Sequence, residues 1–577
     1  MRTVIWLTPV AVPLATALAV ALAGRRIGWL IPVAPLPALA LGVLGDTGAG
    51  PELPWVLPGV QLGLDGPGRA LLIAAATLWI AAAIYALRAP GVARGFGPLF
   101  LLTMAGNLGL LLADDAVSLY VFFALMTVAG YGLVVHDRSE FALRAGRVYI
   151  ALAIVGELAV FTGLALSVSA AGSLDLAELG PAIAVSPHRD LTVGLVLAGF
   201  GAKAGIVPLH LWLPLAHPAA PVPASAVLSG AMIKAGLVGW IRVLPLGDAG
   251  LAGWSSLLMA AGLASIVLGV VAGTTQRQPK VTLAYSSISQ MGVLAVLVGV
   301  GLRDPEAAPL AVAAAALYAM HHGFAKGALF LGVGVLGAES RVPWRRVHLL
   351  GAGLAAVALA GGPLTSGALG KLAVKDTVSF LPQDSAWALT VALSLGAAGT
   401  TVLMARVVIL VARPQGEGTA APAAVVVPWF AVLGAVLAVP WLVQATLLDD
   451  LARPALTPGS LWDGLWPIAL GLAAVAAAWI LGRCRSSTLG QIPPGDVVVG
   501  IERLAHALGS GWTRTIAPAA AGMGALMRAV QEAAYLAVQP GRSVDLFDRR
   551  MTRWRAGGLL FVLLGAALVL AAVTAAG

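Results

Sequence analysis

Long apolar runs follow one another along almost the whole chain, and this feature limits the possible folds more than any other. A helix that spans a bilayer needs about 20 mostly apolar residues, and we count about sixteen such runs. Their approximate limits are 4–24, 28–45, 69–87, 96–113, 115–135, 147–170, 192–212, 221–245, 252–273, 281–302, 309–337, 348–375, 386–412, 424–447, 461–482 and 556–576. We therefore predict an all-α polytopic membrane protein with about 16 transmembrane helices.

Composition excludes several other classes of protein. Hydrophobic residues make up 59% of the chain and charged residues 11%, with a mean hydropathy of +0.93. These values exclude a soluble globular enzyme, a disordered chain and a nucleic-acid-binding protein. The net charge of +9 comes from basic residues in short loops, as in membrane proteins. A single cysteine, Cys484, excludes a disulfide framework, a cysteine-built zinc site and an iron–sulfur cluster.

The loops alternate in charge, and the alternation predicts the orientation. Loops after odd-numbered runs are rich in arginine, and loops after even-numbered runs are rich in acids. The positive-inside rule places the odd loops in the cytoplasm, so both termini face outward, on the periplasmic side of a bacterial cytoplasmic (inner) membrane. Only Arg2 precedes the first run, which we expect to be a retained span and not a cleaved signal.

Two of the runs contain interruptions that predict broken helices. Pro208 interrupts the seventh run, and Gly361-Gly362-Pro363 interrupts the twelfth. Broken helices at membrane depth are tolerated only where their backbone faces protein or a water-filled cavity. Because the two interruptions are five runs apart, they suggest two repeats of five helices each. Since each repeat has an odd number of spans, the two repeats would have opposite orientations in the membrane. The predicted units are N-terminal helices 1–95, repeats 96–245 and 246–412, further helices 413–496, a lateral helix 497–552 and a closing helix 553–577.

The stretch at 497–552 differs from the rest of the chain. It is too polar to span a membrane, has helical spacing with an interruption at Pro518, and is flanked by basic residues. We predict an amphipathic helix that lies along the membrane surface or against a partner. A plain cytoplasmic linker helix is the alternative.

The lysines are confined to the centre of the chain. All basic residues outside it are arginines, and the six lysines are Lys203, Lys234, Lys280, Lys326, Lys371 and Lys375. Arginine stays protonated in proteins, whereas a buried lysine can bind and release a proton near neutral pH. A charged group inside the bilayer costs at least about 2.5–3.5 kcal/mol and usually marks a functional pathway. With Glu157, His321 and His322, the lysines suggest a chain of protonatable groups at mid-membrane depth.

Structural explanations stay open for some of these residues. Lys203, Lys234 and Glu157 could form packing elements, and long side chains near helix ends, as at Lys280 and Lys375, can extend to the interface. His321 and His322 are adjacent and point to different helix faces, so we expect at most one of them to line a shared path.

Four motifs resemble the antiporter-like subunits of respiratory complex I. The run KAGIVPLHLWLP begins at Lys203, and LAYSSISQMG, HHGFAKGALFLG and GPLTSGALGK follow at 283–292, 321–332 and 362–371. The resemblance extends over about 60–410. The same superfamily includes Mrp-type cation/proton antiporters, membrane-bound hydrogenases and an inorganic-carbon uptake subunit.

The resemblance implies a role in proton translocation for particular residues. Lys203 is similar to the seventh-span lysine that is coupled to an acid, and Lys234 to the eighth-span lysine. His322 and Lys326 resemble the connecting residues of the eleventh span. Lys371 resembles the exit-side lysine, and His210 the histidine after the helix break.

One position departs from the family pattern. Ala124 stands where relatives usually carry a glutamate in the fifth span. We expect Glu157 of the sixth span to serve as the counter-ion of Lys203 instead. The alternative is an incomplete relay in a subunit that has lost pumping or moves a different cargo.

The resemblance implies a proton-translocating membrane subunit of a complex I-like or hydrogenase-like redox assembly. We see no cofactor-binding motif and expect no cofactor, metal site or catalytic chemistry in this chain, so electron transfer would belong to partner subunits. The expected partners are other membrane subunits, protons and the lipid bilayer, with no nucleic acid. The alternatives are a sodium/proton antiporter subunit, the proton path of an inorganic-carbon uptake complex, and a scaffold without transport.

Overall fold

The computed structural model describes most of the chain up to residue 495. The described ranges are 2–53, 60–89, 92, 95–339, 341–413, 420–448, 451, 457–484 and 492–495. The predicted lateral helix at 497–552 and the closing helix at 553–577 lie outside them.

Helices dominate the described ranges, as the apolar runs predict. They are α1 Arg2–Ala23, α2 Leu36–Leu44, α3 Gly66–Ala86, α4 Phe96–Leu112, α5 Ala116–Val134, α6 Glu140–Ala171, α7 Leu176–Val185, α8 Arg189–Ala204, α9 Leu213–Ala219, α10 Val222–Val227, α11 Lys234–Val243, α12 Ala252–Thr274, α13 Pro279–Arg303, α14 Ala308–Ala338, α15 Val342–Ala360, α16 Ser366–Val378, α17 Gln383–Ala412, α18 Ala423–Leu447 and α19 Pro458–Cys484. Within the described ranges, ten helices are long and apolar enough to cross a membrane. The polytopic helical architecture is therefore observed, and the total of about sixteen spans stays a prediction.

The segment after α1 differs from the predicted second span. Residues 24–30 form a 3-10 helix, and α2 has only nine residues. At 1.5 Å per residue, α2 is about 14 Å long, which is too short to cross the hydrocarbon core. Pro32, Pro35 and Pro37 explain the short helix, because proline lacks the amide hydrogen that a continuous helix needs.

A small β-hairpin interrupts the all-helical pattern. Strand β1, Gly48–Leu53, pairs antiparallel with β2, Val60–Leu64. A further bridge joins Leu62 to Ala113, so the hairpin lies against the end of α4. The apolar runs predict only a loop here, because the glycines and prolines of this segment hide the short strand pattern.

Acidic residues at one end of the bundle cap helices. Asp65 accepts a hydrogen bond from the Gly68 amide at the start of α3, and Asp115 accepts from two amides at the start of α5. Asp175 caps α7 in the same way. Arg242, near the end of α11, donates to the carbonyls of Leu111 and Ala113 at the end of α4. The acids of the even loops therefore satisfy the open amides of helix N-termini.

A second cluster of polar contacts ties four helices together at the other end. Glu339, which follows α14, accepts from the Arg341 side chain at 3.0 Å and from the Ala421 amide at 3.2 Å, before α18. Arg345 of α15 donates to the carbonyls of Leu336 and Val411, which belong to α14 and α17. We call Glu339, Arg341 and Arg345 the Glu339 clamp.

The core of the bundle lies around α10–α11, α13 and α14. In the Val222–Val243 span and in α13, 94% of the residues in the apolar stretch are buried, whereas the share is 28% in α6 and 17% in α19. Helices α6 and α19 therefore lie at the periphery. The interruptions predicted near Pro208 and Pro363 fall between α8 and α9 and between α15 and α16. The inverted relation between 96–245 and 246–412 stays a prediction.

The Glu339 clamp predicts a pH-dependent contribution to stability. The Arg341 side chain, with backbone amides of Arg341 and Ala421, lowers the pKa of Glu339 to about 2. Because the pKa is lowered, the ionised carboxylate stabilises the fold at pH values above its pKa in the unfolded chain, which is near 4.3. This contribution is lost as the pH falls toward 2. We expect Glu339→Gln to reduce the free energy of unfolding at pH 7 by about 1–3 kcal/mol.

Thermal unfolding of the purified protein between pH 7 and pH 3 measures this effect. The matched control is Glu306→Gln, at an exposed position before α14. A Glu339→Gln difference that stayed constant over the whole pH range would contradict the assignment.

Candidate functional site

The site begins where α8 breaks off inside the bundle. Gly205 adopts φ +71° and ends α8, and its amide donates to the Gly201 carbonyl. A glycine in this left-handed conformation is a common helix terminator. Lys203 therefore lies in the last turn of a half-helix and not in the middle of a continuous span, and only 6% of it is exposed. Pro208 and His210 follow in the connection to α9, and His210 is buried.

Neutral groups surround the Lys203 amine. It donates to the Thr127 hydroxyl at 3.0 Å and to the Tyr149 hydroxyl at 3.4 Å. The Thr127 hydroxyl donates in turn to the Phe123 carbonyl, so its oxygen is free to accept from lysine. The amine also lies 5.7 Å from the ring centres of Phe123 and Tyr149, within cation–π range. Thr127 lies one turn after Ala124 on α5.

Glu157 and Lys203 line the same small cavity without direct contact. The cavity has a volume of about 20 Å³, and its other polar and aromatic lining residues are Phe123, Thr127, Tyr149 and Trp212. In the described ranges, Glu157 Oε1 is buried without a hydrogen-bond partner, and no ion pair within 4.0 Å joins it to Lys203. About one water molecule fits such a volume. A bridging water would connect the two groups.

A π turn presents Lys234 to the centre of the bundle. Residues 228–232 form this turn between α10 and α11, and the Ile233 amide donates five residues back, to Leu228. The Lys234 amine donates to the Ser229 carbonyl at 2.5 Å, and the Ser229 hydroxyl contacts that of Ser287 at 2.8 Å. Lys234 is 3% exposed. Turns of this kind occur often at functional sites.

Lys326 and His322 face Lys234 from α14. Lys326 is fully buried and donates to the Leu283 carbonyl at 2.7 Å and to the Ser286 hydroxyl. Both ring nitrogens of His322 are buried without a hydrogen-bond partner in the described ranges. The amines of Lys234 and Lys326 lie within electrostatic range of His322. These three predicted residues are therefore brought together.

His321 points away from this cluster, toward α16. Its Nδ1 lies 2.8 Å from the Ser366 hydroxyl, at the start of α16. Lys371 lies one and a half turns further along α16, and its amine donates to the Ala360 carbonyl at the end of α15. The break between α15 and α16 contains Gly361 at φ +81°, and a side chain there would collide with Lys371. The two histidines thus occupy different surroundings, as their adjacency predicts.

The site consists of three parts. Within the described ranges, no hydrogen bond between ionisable side chains connects one part to another. The parts are the Glu157–Lys203 cavity, the Lys234–His322–Lys326 cluster and the surroundings of Lys371. A continuous proton route between them would require water molecules.

One residue of the central cluster is missing from the sequence-based prediction. His217 of α9 is fully buried, stacks on the Phe330 ring at 4.6 Å, and lies within electrostatic range of Lys234, Lys280 and Lys326. Both of its ring nitrogens lack a partner in the described ranges. The sequence signal that could have identified His217 is its place in an apolar run, fourteen residues after Lys203. Lys280 donates to the Ala220 carbonyl at 2.5 Å and does not extend to the surface.

No candidate metal centre occurs in the described ranges. No group of three or more histidine, cysteine, aspartate or glutamate side chains there is placed to hold a metal ion. The ionisable groups of the site are mostly amines and imidazoles. This set is suited to exchange protons and poorly suited to bind a hard cation, which prefers oxygen ligands.

The Lys203 contacts predict a destabilising effect of Thr127→Val. Valine keeps the shape of threonine but removes the oxygen that accepts from the buried amine, which should cost about 1–3 kcal/mol of unfolding free energy. Thr162→Val is the matched control, because the exposed Thr162 hydroxyl contacts only the Leu158 carbonyl one turn earlier. Thermal unfolding of both variants measures the difference, and equal midpoints would contradict the assigned contact.

Comparison with known proteins identifies relatives that match part of this chain. Hydrogenase-4 component B of Escherichia coli is 36% identical over 242 residues, which are 40% of this chain and 36% of the relative. NADH-quinone oxidoreductase subunit N of Desulforudis audaxviator is 28% identical over 375 residues, which are 62% of this chain and 72% of the relative. This chain therefore spans only about a third of the length of the first relative.

A solved structure has the same fold over nearly the whole chain. The Mrp complex from Dietzia sp. DQ12-45-1b matches with a TM-score of 0.75 and 24% identity, covering 93% of this chain and 63% of its own chain. The family model described as "NADH:quinone oxidoreductase/Mrp antiporter, TM" matches residues 113–397, which contain every predicted site residue. The resemblance in the sequence motifs is thus confirmed: the chain is a multi-pass membrane protein, and its residues 113–397 match the NADH:quinone oxidoreductase/Mrp antiporter transmembrane family.

Proposed function

We propose that this chain is the proton-translocating membrane subunit of a redox-driven complex similar to complex I or to a membrane-bound hydrogenase. Protons would move through Glu157, Lys203, Lys234, His322, Lys326 and Lys371, with His210 beside the first break. The family of residues 113–397 and the relatives named as hydrogenase and NADH-quinone oxidoreductase components support the proposal.

Buried amines that form no direct ion pair in the described ranges carry the proposal. Lys203, Lys234 and Lys326 are at most 6% exposed, and in the described ranges they donate only to hydroxyl and carbonyl groups. A permanent charge is costly in such surroundings. Lysine, unlike arginine, can give up its proton there, so the arrangement suits transient protonation.

The mechanism begins at the Glu157–Lys203 cavity. An ionised Glu157 stabilises the ammonium form of Lys203 through the cavity, and protonation of Glu157 removes that stabilisation. Lys203 then releases its proton toward the Lys234–His322–Lys326 cluster. Because both His322 nitrogens lack a partner in the described ranges, the imidazole can accept a proton on one and donate from the other. The proton continues to Lys371 through transient waters.

The chain would work with other membrane subunits in a bacterial cytoplasmic membrane, with both termini outward. Electron transfer would occur in those partners, because the sequence contains no cofactor motif. A cation/proton antiporter subunit is the second candidate, and the fold shared with the Mrp complex over 93% of the chain favours it. Sodium dependence of the proton flux would distinguish the two.

Lys203→Arg and Lys234→Arg test the relay directly. Both keep a positive charge and a long side chain, but arginine does not release its proton near neutral pH. We expect each variant of the purified complex in proteoliposomes to lose proton flux to background, measured with a pH-sensitive dye. Unchanged flux in either variant would overturn the proposed mechanism.

Glu157→Gln tests whether Glu157 takes the role of the acid that the fifth span lacks. Glutamine removes the charge that stabilises Lys203, so we expect coupled proton flux to be lost while the complex still assembles. The matched control is Glu178→Gln, at an exposed position of α7. Full pumping in Glu157→Gln, with assembly verified by size-exclusion chromatography, would refute the role of Glu157.

A further inference from the structure

A large cavity lies next to Lys371. It has a volume of about 230 Å³ and lies among α12, α13, α14, α15, α16, α17 and α19. One water molecule occupies about 30 Å³ in the liquid, so the cavity has room for several. We call it the outer cavity, because its charged residues adjoin loops that are predicted to face outward. Lys371 and Lys375 lie before one such loop, and Asp463 lies after another.

The lining of the outer cavity includes polar groups that suit water. The Tyr318 hydroxyl donates to Gln290 Oε1 at 2.6 Å, and Gln290 Nε2 donates to the Thr400 hydroxyl at 3.0 Å. The buried Ser289 hydroxyl also lines the cavity and has no hydrogen-bond partner in the described ranges. A buried polar atom without a protein partner is commonly satisfied by water.

An ion pair lies at the same cavity. Lys375 of α16 and Asp463 of α19 contact each other there, and both are about half exposed. Lys371 and Lys375 are four residues apart on α16, so they share one helix face. Asp463 and Lys371 therefore line one cavity, and Asp463 contacts the lysine that follows Lys371 on the same helix face. Asp463 lies beyond residues 113–397, so the family match does not assign it.

We propose that Asp463 accepts the proton that leaves Lys371, through water in the outer cavity, and passes it to the outward medium. This inference rests on the proposed proton translocation. The ammonium group of Lys371 becomes a neutral amine, and the Asp463 carboxylate becomes a carboxylic acid. Protonation of Asp463 breaks its ion pair with Lys375. The freed Lys375 ammonium then favours loss of the new proton to solvent, which restores the pair.

Few other ionisable groups act at this cavity. Those that face it or its ion pair from the packed elements are Lys371, Lys375 and Asp376 of α16, Tyr318 and His321 of α14, and Asp463 of α19. Asp376 lies beside Lys375 on its own helix, and His321 lies within electrostatic range of Lys371. In the described ranges, Asp463 is the acid that lines the cavity itself.

Proton flux of Asp463→Asn and Asp463→Glu complexes in proteoliposomes tests the proposal. Asparagine cannot accept the proton, so we expect flux to fall at least about tenfold, whereas glutamate should retain most of it. The matched control is Asp384→Asn, an exposed acid at the start of α17. Similar flux in Asp463→Asn and the unaltered complex would overturn the proposal.

A double variant separates proton acceptance from charge balance. Lys375→Gln with Asp463→Asn removes the pair without leaving a net charge, so its flux should stay as low as that of Asp463→Asn alone. Full recovery in the double variant would show that Asp463 acts only as a counter-ion, and would overturn the proposal.

The Lys371→Met complex separates this proposal from the proposed function. Loss of flux in Lys371→Met together with normal flux in Asp463→Asn would overturn only the role of Asp463. Normal flux in Lys371→Met would overturn the relay as a whole.

Discussion

Main-chain carbonyl groups at helix irregularities hold three of the buried amines of this bundle. Lys234 bonds the Ser229 carbonyl in the π turn, Lys371 the last carbonyl of α15, and Lys280 the Ala220 carbonyl at the end of α9. A regular helix uses most of its carbonyls internally, and breaks supply additional acceptors at membrane depth. The irregular backbone therefore makes it possible to place lysine in the bilayer without an acidic partner. The rest of the site depends on this arrangement.

The protonatable groups of the site lie on helices that differ in burial. Glu157 belongs to α6, which is mostly exposed on its outer face, and Lys234 and Lys326 belong to the most buried helices. Asp463 belongs to α19, which is again peripheral. Protonatable groups thus lie on two peripheral helices as well as in the core of the bundle. In a complex, both peripheral helices would be available to neighbouring membrane subunits.

Composition and motif spacing predict much of this arrangement, for identifiable reasons. A bilayer requires long apolar helices, and lysine, proline and glycine are conspicuous within them. The residues 203–214 and 321–326 therefore point to the site by residue type and spacing alone. The same reasoning does not predict the local geometry of the site. The π turn at 228–232, the hairpin at 48–64 and the placement of His217 among three lysines depend on tertiary packing, which leaves no periodic signal in the sequence.

The Arg242 contacts and the Glu339 clamp lie at opposite ends of the bundle, and each fastens helix termini to their neighbours. Between these ends, α8 and α15 are interrupted and the Val222–Val243 span carries its π turn. The bundle thus has polar contacts between helices at its two ends and helix interruptions at its middle. A change of protonation would then alter the tilt of a half-helix by a small amount, while the outline that the bundle presents to lipid and to its neighbours stays the same.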